Sequence, residues 1–283
     1  MQNSTAASPA IPPQHRHWRI ADLPWDQFDA SKVDADILKV IKAASMVEYN
    51  ARDYAAYLCS VFADDPEMVA AAQHWAMEEV QHGEGLGAWA EHADPKFNHA
   101  AAFKKYSDKI KIDIGARASI RGSRAGEMVA RCMVETGTSS YYTAVGDATE
   151  EPVLKQLCRN IAADEHRHYK MFYDHLRRYL DKDKLGTLGR LRVALGRIAE
   201  SEDDELAYAY YAANDGMGAY DRKTYNREYA RRAYSYYRPK HIERGLAMVF
   251  KASGLKPHTR VFDLATKAAC WYFNNRAAQK AAA

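Results

Sequence analysis

Apolar positions recur along most of the chain at intervals of three and four, the period of helices that bury one face. That spacing predicts a first long helix over about Asp34–Phe62. Asp64, Asp65 and Pro66 then supply an acidic cap and a proline in the first turn, a helix-start signal. The second helix runs to about His92, where Asp94–Pro95 stops it. Lys96–Arg121 is too long for a tight turn and leaves room for a short helix. Another long helix covers about Gly122–Val145, and Gly146 and Asp147 break it. Glu150, Glu151 and Pro152 open the next, which ends near Leu180. Beyond Asp183 the pattern predicts segments near Leu188–Ala213, Lys223–Ser235, Pro239–Ala252 and Val261–Gln279. No strand-like alternation persists, so the expected class is all-α. The expected division is a flexible tail over residues 1–20, a bundle over 21–184, and a helical extension over 185–283 packed on it.

Composition narrows this picture. The chain has 283 residues, 47% hydrophobic and 27% charged, enough for one large domain with a sizeable core. Only 15 glycines and 9 prolines punctuate it, which suits long helices. No apolar run approaches the roughly 20 residues of a membrane helix. Met1 to Pro13 lack the apolar core of a signal peptide. The four cysteines (Cys59, Cys132, Cys158, Cys270) are far apart without a CxxC, which argues against a zinc-finger or rubredoxin-type site. A reduced, cytoplasmic protein is the expectation. A net charge of +3 is too small to point to nucleic acid.

One internal repeat carries the chemistry. Glu48 precedes Pro66 by 18 positions, Glu79 lies 13 beyond that proline, and His82 three further. Glu135 precedes Pro152 by 17, Glu165 lies 13 beyond, and His168 three further. Thirteen residues carry a helix about 20 Å along its axis, so both Glu-x-x-His pairs reach the same height in a bundle. Positions i and i+3 share a face. Glu48 and Glu135 each add a carboxylate. Four carboxylates and two imidazoles are the ligand set of a di-iron or di-manganese site in a ferritin-like four-helix bundle. Buried without counter-charge they would be costly, and two divalent metals remove that cost.

Rival ligands can be weighed. Glu127 stands 38 residues before Glu165, against 31 between Glu48 and Glu79, so Glu135 is the better match. Glu78 sits about 100° around the helix from Glu79, so both cannot ligate equally well. His74, His166 and His175 read as polar surface or supporting groups. Asp164 can orient a ligand imidazole through its free N–H.

At this point the residues resemble a known family. Trp75-Ala76-Met77-Glu78-Glu79-Val80-Gln81-His82-Gly83-Glu84 looks like the W-x-x-E-E-x-x-H-G-D/E segment of soluble acyl-ACP desaturases. Ile161-Ala162-Ala163-Asp164-Glu165-His166-Arg167-His168 looks like their I-A-A-D-E-x-R-H segment, and Glu135-Thr136-Gly137-Thr138 matches their E-x-x-T. The resemblance covers about Ala43 to Leu180. It implies a homodimeric di-iron enzyme that takes electrons from a ferredoxin-type donor and oxidises a carrier-bound fatty acyl chain with O2. It implies that Thr138 assists proton delivery beside the metals. It also implies that Asp164 bonds His82 on an electron path, with Trp75 nearby. A tryptophan near the start of the family's fold corresponds to either Trp18 or Trp25. The chain is shorter than the plant members, and its C-terminal third matches only weakly. Related di-iron proteins act on other substrates, so a small-molecule N-oxygenase or hydroxylase, or a non-enzymatic iron- or peroxide-handling protein, stays open. Manganese in place of some iron stays open too.

A basic stretch from Arg222 to Arg244 interleaves cations, among them Arg227, Arg231 and Arg232, with tyrosines. It would suit an acidic partner such as an acyl carrier protein or ferredoxin, or it is an ordinary solvated helix face. Tyr208, Tyr210 and Tyr211 read as packing between helices.

Overall fold

Four side-chain caps set where the long helices begin. Asp34 accepts from the backbone N–H groups of Asp36 and Ile37 and starts α1 (Ala35–Tyr49). Asp65 accepts from Met68 N–H ahead of Pro66 and starts α3 (Pro66–Ala93). Ser123 caps α5 (Arg124–Ala148), and Glu151 caps α6 (Pro152–Asp183) through Val153 and Leu154. The Glu151 carboxylate is fully buried and also accepts from Trp89 Nε1 at 2.7 Å, which ties the start of α6 to α3.

The structure is a computed structural model and describes residues 17–200 and 204–278. Among these residues there are eleven α-helices, three short 3-10 turns near the start, and no strand. The remaining helices are α2 (Ala51–Val61), α4 (His99–Lys109), α7 (Thr187–Glu200), α8 (Asp204–Asn214), α9 (Arg222–Ser235), α10 (Pro239–Ala252) and α11 (Arg260–Ala277). The all-α expectation holds. The single helix expected over Asp34–Phe62 is two, divided at Asn50, a residue of low helix propensity. The segment expected over Leu188–Ala213 includes 201–203, which lie outside the described residues; on either side of them stand α7 and α8. Most of the expected tail and Gln279, the expected end of the last segment, also lie outside. Trp18, assigned by sequence to the tail, is instead buried.

α5 and α6 pack along their length, α1 and α2 pack in turn on α3, and α3 meets α6. α7 and α10 lie on α5, α8 on α1, and α11 on α9 and α10. The long helices share two apolar clusters. One joins α1 to the C-terminal half of α3, the C-terminal half of α5 and the N-terminal half of α6, with Ile41, Trp89, Tyr142 and Leu157 at its heart. The other joins α2 to the opposite halves, with Leu58, Met68, Met128 and Phe172. Glu48, Glu79, His82, Glu135, Glu165 and His168 fall at the boundary between them, so a polar layer lies across the middle of the long helices.

Gly83 brings two parts of that layer together. A Cβ there would stand 2.5 Å from Tyr49 N and 2.7 Å from Tyr49 Cα. Only glycine lets the end of α1 press this closely against α3, which places Glu48 beside His82.

Candidate metal centre

Each of the six predicted ligands is at least nine-tenths buried, and Glu165 and His82 are fully so. They form two groups whose donor atoms lie within 4.8 Å of one another: Glu48, Glu79, His82 and Glu165, and Glu79, Glu135, Glu165 and His168. Glu79 and Glu165 belong to both. Glu79 turns Oε2 toward His82 Nδ1 at 3.4 Å and Oε1 toward His168 Nδ1 at 3.0 Å. Glu165 does the same, with Oε1 3.3 Å from His82 Nδ1 and Oε2 3.7 Å from His168 Nδ1. Glu135 Oε2 stands 3.6 Å from His168 Nδ1. Glu79 and Glu165 are thus shared by two donor groups, each completed by one imidazole and one further carboxylate.

The donor atoms pass a test of fit. Nδ1 of His82, Nδ1 of His168, both oxygens of Glu135 and Oε1 of Glu165 are buried without a hydrogen-bond partner. Buried polar atoms are rarely left so. These atoms converge, and donors on adjacent positions of an octahedral ion stand about 3 Å apart at metal–ligand distances of about 2.1 Å. Four carboxylate charges balance two divalent cations with both imidazoles neutral.

In the metal-free chain, protons hold the charges together. Burial, with Glu79 alongside, pushes the Glu48 carboxyl well above the usual carboxylate range, and burial with Glu165 does the same to Glu135. Burial also opposes charge on Glu79 and Glu165. Contacts with Glu48, His168 and His82 at Glu79, and with the two imidazoles at Glu165, outweigh it and hold both low. Burial disfavours an imidazolium at His82, yet Glu165 and Glu79 raise it to about 10. His168 is raised against burial by its own ring of carboxylates.

The outer nitrogens show how the rings are aimed. His82 Nε2 lies 2.9 Å from Asp164 Oδ2, and His168 Nε2 lies 2.9 Å from Glu78 Oε2. A carboxylate only accepts here, so each Nε2 carries a proton, and with a metal bound each Nδ1 would give up its own proton and present a lone pair to the centre. Asp164 and Glu78 each precede a ligand glutamate, and each holds the histidine of the other Glu-x-x-His pair. Burial works against the Glu78 charge, but His168, His74 and Arg167 hold it down at about 2. Sequence reasoning identified Asp164 and passed over Glu78 as a competing ligand. The acidic doublets Glu78-Glu79 and Asp164-Glu165 were the available signal.

The tryptophans differ in what they touch. Trp18 Nε1 donates to Asp164 Oδ2 at 2.7 Å, and its ring lies within 4° of parallel to His82 with centroids 6.1 Å apart. Trp25 bonds only Ile20 O. Trp75, expected beside the centre, packs edge-on against Phe172 at 5.7 Å, and its Nε1 has no partner. Of the three, Trp18 is the one that bonds Asp164 and stacks on His82.

Other expected residues divide clearly. Thr138 Oγ1 donates to Glu165 Oε2 at 2.7 Å, and Tyr142 Oη donates to Glu48 Oε1 at 2.5 Å. Glu127 stands apart from the centre, accepting from Tyr57 and Ser119. His74 is 3.7 Å from Glu78, while His166 Nδ1 bonds Ala162 O. His175, read as surface or support, is buried beside Arg178. Two of the three expected docking cations are engaged in ion pairs. Arg232 is 7% exposed and pairs with Asp36 and Glu228, and Arg231 pairs with the same two acids. Arg227 Nε is buried. Arg231 and Arg232 fasten α9 to α1, while Arg222, Lys223, Arg238, Lys240 and Arg244 of the same stretch are exposed.

No known protein family matches the chain, and no functionally described protein matches it in sequence. No helix among the described residues is long and apolar enough to cross a membrane.

Proposed function

We propose that the chain is an O2-activating di-metal oxidoreductase, with iron as the metal its ligand set favours and manganese as the alternative. The observation that carries this reading is the convergence of bare donors, two imidazole Nδ1 atoms and the free carboxylate oxygens, in a layer closed above and below by apolar clusters. Glu79 and Glu165 would bridge two ions, Glu48 and His82 would complete one site, and Glu135 and His168 the other. When bound, such a pair supplies two-electron chemistry toward O2. The protein's part is to hold the imidazoles through Asp164 and Glu78, to exclude water with the flanking clusters, and to keep a proton at Thr138 Oγ1 beside Glu165. Tyr142 holds Glu48 from the far side. Trp18, Asp164 and His82 form a bonded line toward the centre, suited to electrons from a ferredoxin-type donor.

The resemblance to acyl-ACP desaturases supports oxidation of a fatty acyl chain. A second reading, a small-molecule oxygenase, is favoured by the internal pairing of Arg231 and Arg232, two of the cations expected to meet a carrier protein. The test is elemental analysis after iron loading, followed by O2 uptake with reductant and mass spectrometry of acyl-carrier and small-molecule products. About two metal ions per chain with substrate-dependent O2 uptake is the expected result. A chain that retains neither iron nor manganese ends this reading.

A further inference from the structure

A cleft of about 250 Å³ opens on the surface between α5, α6 and α10. Arg159 and Arg244 stand at its rim, both exposed, and neither forms an ion pair among the described residues. His166 lines it as well. The one acid in its wall, Asp147, is already balanced by Lys240 at 2.6 Å and His241 at 3.0 Å. The cleft therefore keeps an uncompensated positive charge. The rest of its lining is small and weakly polar: Gly146, Ala162 and Thr143, with Ala163 exposed at its edge. Its floor is Tyr142, 1% exposed, whose hydroxyl bonds Glu48. Tyr142 lies seven residues past Glu135 on α5, about 10 Å along the axis. A molecule seated here rests one side chain away from a ligand carboxylate.

We propose that this cleft binds the carboxylate of a small, partly apolar molecule, with Arg159 and Arg244 clamping the oxyanion and the body directed toward Tyr142. Two guanidinium groups over one opening suit a planar carboxylate, which they bind by paired charged hydrogen bonds. The small walls leave space for carbon rather than for a second charged group. That this ligand is a substrate rests on the oxidase reading; that the cleft binds it does not. The proposal narrows the substrate to a free acid, in place of a thioester held on a carrier.

The test is calorimetric titration of the full chain with octanoate, its neutral counterpart octanamide, and inorganic phosphate, with metal content measured on the same sample. Octanoate should bind at one site and octanamide should not. Arg159→Gln with Arg244→Gln should weaken octanoate about tenfold or more, as loss of charged hydrogen bonds does. Both residues are exposed, so this variant should fold and keep its metals. Ala163→Phe keeps both charges but fills the cleft, and it should abolish binding. Octanoate affinity unchanged in either variant places the carboxylate elsewhere and overturns the proposal. Phosphate binding more tightly than octanoate would show a site for inorganic oxyanions and also overturn it. Absence of octanoate binding in a chain that retains its metals overturns the cleft and leaves the di-metal reading standing.

Discussion

The two imidazoles of the centre are held by the same backbone pattern and by different outer chemistry. His82 meets Asp164, which is 1% exposed and accepts from the indole of Trp18. His168 meets Glu78, which faces His74, His17 and Arg167. The first imidazole backs onto an aromatic ring that lies parallel to it; the second backs onto a cluster of cations and titratable rings. The inner donors are nearly symmetric, so the metals would see similar ligands. The halves differ in what reaches them from outside. Arg167 pairs with Asp164 and also reaches Glu78, so the two halves share that cation and differ in the rest: an indole bonded to the carboxylate on the His82 side suits electron delivery, and the titratable rings of His74 and His17 on the His168 side suit proton exchange.

The largest effect expected from breaking the centre comes from the carboxylates that both halves share. Glu79→Ala or Glu165→Ala should remove essentially both metals, because each residue places one oxygen toward each imidazole. Glu48→Ala and Glu135→Ala should each cost mainly one, and Glu127→Ala none. Elemental analysis of the purified variants decides. Equal loss from Glu127→Ala would show that these variants report folding and not ligation.

Thr138 sharpens the comparison, because only one half has a hydroxyl there. It stands three residues after Glu135; the residue three after Glu48 is Ala51. Thr138→Val keeps the shape and removes the donor to Glu165 Oε2. Metal content should be unchanged while O2-dependent turnover falls about 100-fold, a typical contribution of positioned proton transfer. Single-turnover kinetics of the loaded variant, with unaltered metal stoichiometry as the control, measures it.

The outer carboxylates come next. Asp164→Ala and Glu78→Ala should each weaken metal affinity about 10–100-fold by releasing an imidazole from its orientation. Competition with a chelator gives the two affinities. The loss should fall on different ions, the His82 site for Asp164 and the His168 site for Glu78. Loss at the same site in both variants breaks the assignment.

The layer itself was legible in sequence because its information is local. A Glu-x-x-His pair is one turn of one helix, and equal offsets from Pro66 and Pro152 bring two such turns to one height. Outer partners are not local. Glu78 lies on a different helical azimuth from Glu79, and only the meeting of α3 with α6 shows that this azimuth faces His168. Trp18 lies 146 residues from Asp164, with no periodic pattern to connect them. The pairing of two of the basic residues was hidden for a related reason. The period of the basic stretch says that Arg232 lies on a helix, but not that Asp36 of α1 lies opposite.

A smaller effect is expected on the stability of the metal-free chain. The His82 pKa is raised in the fold to about 10, from about 6.5 unfolded. Its contribution is complete below about pH 6.5 and is lost as pH rises toward about 10. Glu48 and Glu135 are also raised and act in the same direction. The unfolding midpoint of the metal-free chain should therefore fall across that alkaline window, whereas the loaded chain, with metals in place of protons, should not follow it. Parallel curves for the two forms would mean that these protons do not occupy the metal positions.

The smallest structural effect should come from Trp18→Phe. It removes one hydrogen bond to Asp164 Oδ2, while Asp164 keeps His82 and Arg167. The loss should be about 2 kcal/mol of stability, the usual net value of a hydrogen bond to a charged group. Both metals should remain. Reduction of the loaded chain by a ferredoxin-type donor should nonetheless slow, because the indole that links the outer surface to His82 through Asp164 is gone. Trp75→Phe is the matched control. Its indole N–H has no partner and its ring packs on Phe172, so it should cost comparable packing and leave reduction unchanged. The two variants thus separate a general loosening of the bundle from a specific break in the bonded line. Equal slowing in both would mean that the tryptophans act only as packing, and the functional contrast between the His82 and His168 halves would lose its electron-delivery side.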